Sequence, residues 1–417
     1  MKTVQNAGQV DHSFRGMWII VCVLLLCQVL ICVAGARRSL SGQVDFRSFY
    51  TAGAIVKSGQ GSQLYDYDYQ QQAQTALVGP RANALPFLYP AFAALPFVPL
   101  SMVSYRAGFF ILLVVNLGLL LLTASLLRPW LPRFMEHHGV ALPAVYGCIF
   151  GVSVALMQGQ LSFLLLAIYA GSWVLLRKKH VFLAGVLLSL GLIKFQIAIP
   201  IFLLFLLWRQ WRFIAGFLAG AIALGAISVA IVKEAGLATY WHSMTGMTKQ
   251  TAFNAAAAKA RYGMFPADMP NLHGLTFGLA HGAKWGLALN IALCCATLIF
   301  TARQRASLLV ALPAAMLVSY HMQPHDLTLL LLPLSFVVDD LWQRIQKRRG
   351  GDRTAVRIYD KILLCSLPLL ILPMAYLVLA WGMTYVVSLA VCAIMISAAK
   401  VNTERESYTP AAMRIVG

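Results

Sequence analysis

The chain has 417 residues, of which 60% are hydrophobic and only 11% are charged. A composition this apolar does not fit inside one water-soluble core, and it predicts a polytopic membrane protein. The 33 basic residues outnumber the 14 acidic residues and give a formal net charge of +19. Because the basic residues are dispersed through loops, nucleic-acid binding is disfavoured, and the charge predicts contact with anionic membrane lipids instead.

Apolar runs predict an all-α fold with about twelve transmembrane helices, since a crossing helix needs about 20 apolar residues and shielded helices can be shorter. The first run, 17–35, lacks a signal-peptide cleavage signature and is predicted to be an anchor. The run 181–208 fits one tilted helix or two short ones, and basic residues at both ends favour two, with a break near Lys194. The remaining runs lie at 107–127, 140–157, 161–176, 213–232, 283–301, 306–320, 326–341, 359–378 and 381–399.

Lys and Arg residues in the short loops predict the orientation, because such loops stay on the cytoplasmic side of a membrane. Two long segments, 36–106 and 233–282, then face the external side. The predicted organisation is a cytoplasmic N-terminus at 1–16, a catalytic transmembrane core at 17–341, a basic cytoplasmic loop at 342–358, a C-terminal helix pair at 359–399 and a cytoplasmic tail at 400–417.

The first external segment is predicted to contain short juxtamembrane helices. One runs from Phe46 to about Ser58, where glycines end it, and another begins near Asp68, which is predicted to be its N-cap. The D-x-D triplet that ends at Asp68 is similar to a nucleotide-sugar motif, but the chain has no soluble domain to carry that motif. The proline-rich stretch 85–103 is predicted to be re-entrant or to lie on the membrane surface.

Asp45 is the preferred candidate for a catalytic group, because few carboxylates lie on the external side of this topology. A carboxylate within reach of an attacking hydroxyl can act as its general base. The alternative role of Asp45 is to cap the helix that begins at Phe46. Asp326 is the main rival for the base, although it can instead orient His325. The other external acids are Asp66, Asp68, Glu234 and Asp268.

Polar residues within or beside the apolar runs are the next candidates, since a charge at the bilayer centre costs about 3 kcal/mol and is usually paired or functional. Lys194 has no acidic neighbour in sequence and fits either a snorkelling side chain or an anion ligand. Gln158 and Gln160 lie at an external turn and fit either turn chemistry or hydrogen bonds to a polar ligand.

An external cluster, Tyr320–Asp326, contains two histidines and an aspartate that could bind a metal ion. A helix cap by Asp326 with a solvated His325 explains the cluster equally well, and a divalent metal is disfavoured. The 8 cysteines all fall within predicted spans, where they are expected to be small apolar core residues rather than disulfides or zinc ligands. No cofactor is predicted.

Five motifs follow one another along about residues 15–340. They are Asp45-Phe46 with Phe49-Tyr50, Phe87-Leu88-Tyr89-Pro90, Gln158-Gly159-Gln160, Ala184-Gly185 ahead of Lys194, and the Tyr320–Asp326 cluster. In this order they resemble glycosyltransferase family 87, a group of the GT-C superfamily that includes polyprenyl-phosphate-mannose-dependent mannosyltransferases.

The resemblance implies a GT-C fold in a bacterial plasma membrane. It implies an inverting transfer of a sugar, with mannose favoured, from a polyprenyl-phosphate donor to a lipid or glycan hydroxyl on the external face. Family members use the aspartate after the first span as general base, and the leaving phosphate needs cations or hydrogen-bond donors around it. We therefore predict Asp45 and His325 as catalytic residues, Lys194, Arg261, Gln158, Gln160, Tyr89, His321 and Asp326 as ligands of the donor phosphate or sugar, and Phe49, Tyr50, Asn271 and His273 as ligands of the acceptor.

Two functions from other classes stay open. A secondary transporter or lipid flippase for a polar or anionic substrate suits twelve spans, and Lys194 and Gln160 would line its pathway. Against transport, the two halves of the chain show no internal repeat, and the long first external segment has no role in that scheme. The third possibility is a non-catalytic scaffold in an envelope assembly.

Overall fold

The computed structural model describes residues 2–131, 141–253, 266–281, 283–349, 352, 356–371, 378 and 380–405. Within these residues the fold is all-α, and the only β-type pairing is an isolated bridge between Ile149 and Ile371. Arg261, a predicted donor ligand, lies outside the described residues. The α-helices are α1 (Lys2–Leu40), α2 (Phe46–Lys57), α3 (Tyr67–Leu77), α4 (Tyr105–Leu127), α5 (Ala141–Gly147), α6 (Phe150–Gln158), α7 (Ser162–Arg177), α8 (Val181–Ser189), α9 (Phe195–Leu207), α10 (Trp211–Phe253), α11 (Leu272–Ala280), α12 (Trp285–Ala302), α13 (Leu308–Val318), α14 (Leu331–Arg349), α15 (Ile358–Ser366) and α16 (Ser388–Arg405).

Within the described chain, 6 helical stretches are long and apolar enough to cross a membrane. The prediction of a polytopic membrane protein is therefore confirmed. The predicted total of twelve spans is not shown, because several of the predicted runs form shorter helices separated by breaks or 3₁₀ turns. By length and hydropathy alone, the long stretches are Trp18–Leu40, Tyr105–Trp130, Val181–Leu207, Trp211–Met244, Trp285–Ala302 and Thr384–Val401, and two shorter apolar helices are Ser162–Arg177 and Leu308–Val318. The stretch Val181–Leu207 contains the chain reversal at Lys194 that is described below.

The predicted run 140–157 illustrates such a break. Helix α5 ends at Gly147 and α6 begins at Phe150, so the backbone between them leaves the helical hydrogen-bond ladder. The carbonyl of Ile149 accepts from the Val152 N–H at 3.0 Å and also from the Nε2 of Gln28 on α1, at 3.0 Å. A buried side-chain amide thus adds a second hydrogen bond to the backbone at the break.

Helices α9 and α10 run antiparallel. The rings of Phe205 and Phe213 stack with their centroids 4.0 Å apart, and those of Phe202 and Phe217 are 4.9 Å apart. Earlier residues of α9 therefore contact later residues of α10, as in any antiparallel pair of helices. A tight turn at 208–210 connects the two helices.

Helices α8 and α10 instead run in the same direction. Gly216 lies against the carbonyl of Phe182, and Gly220, further along α10, lies against the side chain of Ser189 at the end of α8. Since α9 is antiparallel to α10, the chain reverses between α8 and α9, in the 3₁₀ turn that ends at Lys194. The run 181–208 therefore forms two short arms, the alternative that its flanking basic residues favour.

One end of the bundle collects the basic connections. The guanidinium of Arg177 lies 5.6 Å from the Trp130 ring centroid, and the Nε1 of Trp208 donates to the Ala302 carbonyl at 3.1 Å. The first contact joins the ends of α4 and α7, and the second joins the ends of α9 and α12. Phe182, which follows α7 closely, lies against Gly216 near the start of α10, so both pairs of ends lie at the same level. The basic residues at this level are Arg128, Arg177, Lys178, Lys179, Arg209, Arg212, Arg303 and Arg305.

The first external segment contains the predicted juxtamembrane helices. Helix α2 occupies Phe46–Lys57, close to its predicted bounds. Helix α3 is capped by Asp66, whose side chain accepts from the Tyr69 N–H at 2.7 Å, so the prediction of Asp68 as the cap is wrong. The proline-rich stretch that follows forms 3₁₀ turns, because its prolines interrupt any longer helix.

Helix α10 has a sharp kink directly after its predicted end at 232. Lys233 has a φ of 57° and a non-helical backbone, and a second helical part follows the kink. The Tyr240 ring beyond the kink packs on Tyr65 of the first external segment, with centroids 4.4 Å apart. Part of the predicted external loop 233–282 is thus helical and leans over the segment that follows α2.

Close packing of α8 on α10 generates the first prediction. A methyl group at Gly216 would clash with the backbone of Phe182. At Gly225, on the same helix, no atom lies within 4 Å of where such a methyl group would be. We expect Gly216→Ala to lower the free energy of unfolding by about 1–3 kcal/mol, because small residues allow this close approach. The measurement is thermal unfolding in detergent, with Gly225→Ala as the matched control.

Alanine is the better helix former, so Gly225→Ala is expected to leave stability unchanged or slightly raised. Equal melting temperatures for the two variants would contradict the packing of α8 on α10.

Candidate active site

A cavity of about 390 Å³ lies at the end of the bundle opposite the basic connections, and this volume is typical of a small-molecule site. Its walls come from α2, from the loop that precedes the 3₁₀ turns, from α6, from the reversal at Lys194 and from the stretch ahead of α14. Eight predicted site residues line it together: Asp45, Phe49, Tyr89, Gln158, Gln160, Lys194, His321 and His325.

Asp45 immediately precedes α2, but its carboxylate does not cap that helix in the described structure. Its Oδ2 accepts a hydrogen bond from the Nε2 of Gln160 at 2.6 Å. Its backbone N–H donates to the Oε1 of Gln158 at 3.2 Å. The two glutamines therefore position Asp45. This role differs from both predicted alternatives, which were turn chemistry and hydrogen bonds to a polar ligand.

The backbone at Gly159 lets both glutamines reach Asp45. Gly159 has a φ of 63°, a left-handed conformation that ends α6 and that glycine adopts without strain. It also lies against Phe46, where a side chain would clash. The motif Gln158-Gly159-Gln160 thus places one amide before a sharp turn and the other after it.

Burial controls the ionisation of the groups around Asp45. Removal from water raises the pKa of Asp45 above its ordinary value, while the Gln160 hydrogen bond and the charge of Lys194 act in the opposite direction. Burial likewise raises the pKa of the Tyr89 phenol, and the charges of Asp45 and Asp326 add to this effect. The Tyr89 hydroxyl is therefore a neutral group beside the carboxylate.

Lys194 lines the cavity from the reversal between α8 and α9. Its Nζ donates to the Oδ1 of Asp326 and lies 2.9 Å from the Nε2 of His325. All three side chains are buried, so Lys194 is not snorkelling and His325 is not solvated. An ammonium group can only donate, so the Nε2 of His325 accepts and the imidazole is neutral.

Asp326 has two roles in this cluster. Its Oδ2 accepts from the backbone N–H of Gln323 at 3.0 Å, so the predicted helix cap is present. Its Oδ1 neutralises Lys194. Asp326 is fully buried and is not among the described residues that line the cavity. It is therefore poorly placed to receive a proton from a ligand in the cavity, and Asp45 is better placed.

The ammonium of Lys194 keeps one donor for a ligand. It carries three N–H groups, and two of them are directed at Asp326 and His325. Since Lys194 and His325 both line the cavity, a bound anion can meet a cation and an imidazole on this wall. The carboxylate of Asp45 stands on another wall of the same cavity, beside Gln160.

Three predicted acceptor ligands line no part of the cavity formed by the described residues. The hydroxyl of Tyr50 donates to the Val103 carbonyl at 2.7 Å. Asn271 caps α11 and donates from Nδ2 to the Ser319 carbonyl at 2.5 Å. The Nδ1 of His273 lies 2.9 Å from the carbonyl oxygen of Tyr320. These contacts hold the segments around the cavity in place.

His321 lines the cavity as a neutral imidazole, because burial lowers its pKa to about 4. Among the described residues, no three His, Cys, Asp or Glu side chains form a group that could hold a metal ion. The carboxylate of Asp326, the acidic member of this cluster, is already engaged by Lys194.

Several lining residues were not among the predicted site residues. Ser48 lies one helical turn after Asp45, and Gln196 lies two residues after Lys194, so their spacing was an available signal. Met244 and Asp268 come from the segment beyond the Lys233 kink and reach the cavity through tertiary folding. Nothing in the local sequence around those two residues indicates the cavity.

The buried ion pair generates a stability prediction. Lys194→Met leaves the charge of Asp326 unpaired, and Asp326→Asn does the same to Lys194, so each is expected to cost about 3–5 kcal/mol of unfolding free energy. The double variant has no unpaired charge and is expected to recover most of this loss without recovering activity. Thermal unfolding of the three variants measures the effect, and additive losses in the double variant would contradict the pairing.

Comparison with known proteins identifies the family. Glycosyltransferase family 87 matches residues 87–333, a range that contains Gln158, Gln160, Lys194 and His325. Asp45 lies before the matched range. No curated protein and no solved structure matches the chain. Because the match covers more than half of the chain, this protein belongs to glycosyltransferase family 87.

Proposed function

We propose that this family 87 glycosyltransferase moves a sugar, mannose, from a polyprenyl-phosphate donor to a hydroxyl of a lipid or glycan acceptor, with inversion at the anomeric carbon. Asp45 is the general base of this reaction. The observation that carries the proposal is the half-buried carboxylate of Asp45, which is oriented by Gln160 and lines the same cavity as Lys194 and His325. Family membership implies a transferase, which favours this proposal over transport.

The proposed chemistry uses both walls. The acceptor hydroxyl gives its proton to Asp45 while its oxygen attacks the anomeric carbon, and the bond from that carbon to the phosphate oxygen breaks. The electron pair of that bond leaves with the polyprenyl phosphate. The growing negative charge is met by the remaining N–H of Lys194 and by the His325 ring, and a buried site strengthens both interactions.

The proposed side of the reaction is the external face of a bacterial plasma membrane. The cavity lies at the end of the bundle away from Arg177, Arg209 and Arg303, which belong to short connections. Short loops rich in Lys and Arg stay in the cytoplasm, whereas segments as long as 36–106 do not follow this rule. A cavity at the other end therefore faces outward.

Removing the base is the direct test of this proposal. Asp45→Asn keeps the size and the hydrogen-bonding geometry but cannot take a proton, so we expect kcat to fall roughly a hundred- to ten-thousandfold. The measurement is product formation by purified protein supplied with polyprenyl-phosphate mannose and native lipid extract. Asp66→Asn is the matched control, because Asp66 caps α3 and asparagine caps equally well.

Wild-type rates from Asp45→Asn would show that Asp45 is not the base. Absence of product from the wild-type protein with every polyprenyl-phosphate sugar would reject the donor class.

The pH dependence of kcat/KM gives a separate prediction. Asp45 must be ionised to act as base, and burial raises its pKa, so activity is expected to fall on acidification at a higher pH than for an exposed aspartate. The Gln160 hydrogen bond lowers that pKa. Gln160→Met is therefore expected to move the acidic limb to higher pH, and Gln160→Glu to move it further. An acidic limb that stays fixed in both variants would contradict this role of Gln160.

A further inference from the structure

Helix α2 brings a buried serine hydroxyl to the cavity beside Asp45. Ser48 lines the cavity, and its backbone N–H donates to the Asp45 carbonyl at 2.9 Å. Asp45 itself has helical dihedral angles, so the two residues are one turn apart on the same helix face. Ser48 is 6% exposed, and its Oγ has no hydrogen-bond partner among the described residues.

An unpartnered hydroxyl is unusual for a buried serine of this chain. Within a helix, a serine hydroxyl can donate to a backbone carbonyl of the preceding turn. Ser153 does so to Phe150, and Ser228 to Leu224, both at 2.9 Å. A buried hydroxyl that forms no such bond has lost its bonds to water without replacement, which is unfavourable. The Ser48 hydroxyl is therefore available to a ligand in the cavity.

Gln160 supplies a second polar atom beside Asp45. Its Nε2 donates to the Asp45 carboxylate, which fixes the orientation of the amide. Its Oε1 is buried and has no hydrogen-bond partner in the part of the chain that the structure describes. Gln160 also lines the cavity. Asp45 thus has a hydroxyl and an amide oxygen as neighbours, and both can bind a polar group of a ligand.

We propose that Ser48 and Gln160 bind a second hydroxyl of the acceptor, next to the hydroxyl that Asp45 deprotonates. This inference rests on the proposed function and narrows its acceptor to a sugar or polyol with neighbouring hydroxyls. A hydroxyl can accept from the Ser48 Oγ and donate to the Gln160 Oε1 at the same time. A lipid with a single hydroxyl leaves both atoms unpaired, and sites built from buried polar groups discriminate strongly against such ligands.

The donor sugar is the other source of hydroxyls in this reaction. In the proposed function the donor phosphate meets Lys194, whereas Ser48 and Gln160 adjoin the base. Their hydroxyl ligand is therefore assigned to the acceptor, and kinetics with the two substrates varied separately distinguish the sources.

The first test removes the Ser48 hydroxyl. Ser48→Ala is expected to raise the apparent KM for native lipid extract roughly three- to tenfold, because one neutral hydrogen bond to the acceptor is lost. KM for polyprenyl-phosphate mannose is expected to stay within about twofold of wild type. The melting temperature is expected to stay unchanged or to rise, since alanine is the better helix former and the hydroxyl has no described partner.

Thr51 provides the matched control. It lies one turn further along α2, and its Oγ1 is also buried without a described partner. It is not among the described residues that line the cavity. Thr51→Val therefore removes the same kind of hydroxyl from the same helix and is expected to change neither KM. Equal effects of the two variants, or a larger increase in KM for the donor than for the acceptor, would overturn the assignment.

The second test addresses the acceptor class without a known acceptor. Periodate cleaves the bond between two carbons that carry neighbouring hydroxyls and leaves isolated alcohols intact. Native lipid extract is oxidised with periodate, reduced with borohydride and then supplied with fresh polyprenyl-phosphate mannose and wild-type protein. We expect most product formation to be lost, and extract treated with iodate instead to keep it. Undiminished product from the oxidised extract would overturn this acceptor class and leave sugar transfer itself intact.

A binding readout separates this inference from the proposed function. Methyl α-mannopyranoside, a soluble sugar with neighbouring hydroxyls, is added to the full chain in lipid nanodiscs, and saturation-transfer difference NMR measures its ring-proton signals. We expect signals with wild type and Thr51→Val, and a reduction of roughly threefold or more with Ser48→Ala, even if no sugar transfer is found. Equal signals from the three proteins would overturn the role of Ser48, even if sugar transfer is robust.

Discussion

The buried ion pair between Lys194 and Asp326 is the interaction on which the rest of the site depends. Each charge alone would be costly inside a membrane bundle, so the two must remain together once the chain has folded. Lys194 ends the turn between α8 and α9, and Asp326 caps the helical segment that precedes α14. The pair therefore ties two distant chain turns together and fixes one wall of the cavity.

The same pair explains why Asp45 can remain available as a base. A carboxylate facing an unpaired lysine across a small cavity would tend to form an ion pair with it. Here Asp326 already neutralises Lys194, and Asp45 is held instead by the neutral amide of Gln160. The site thus has one carboxylate that balances the charge of Lys194 and another, held by Gln160, that we propose as the base. In the proposed reaction, the anion-binding groups and the base come from different chain segments.

The location of the site was predictable from sequence to a useful extent. Asp45, Gln160, Lys194 and His325 all occur where apolar runs end, and the ends of neighbouring spans meet at one membrane surface. Their pairing was not predictable. Gln160 is 115 positions from Asp45, and Asp326 is 132 positions from Lys194, so no local pattern connects them. For the same reason the sequence gives no sign that Asp326, a plausible base, is already engaged.

The helical architecture was predictable in class but not in detail. Hydropathy identifies apolar stretches, but it does not show where a stretch is interrupted. At Ile149 the interruption is stabilised by Gln28, a residue of a different helix. At Lys194 it is stabilised by the ion pair with Asp326. The break at Lys194 was favoured by the basic residues that flank its run, whereas the sequence gives no sign of the break at Ile149, because Gln28 lies 121 positions away.

A structure of the Asp45→Asn variant with polyprenyl-phosphate mannose and an acceptor bound would test the central claim most directly. The account predicts the acceptor oxygen within about 2.6–3.2 Å of the residue 45 side chain. It also predicts the donor phosphate in contact with Lys194 and His325. A phosphate bound beside residue 45, or an acceptor hydroxyl out of hydrogen-bond reach of it, would contradict the assignment of Asp45 as the base.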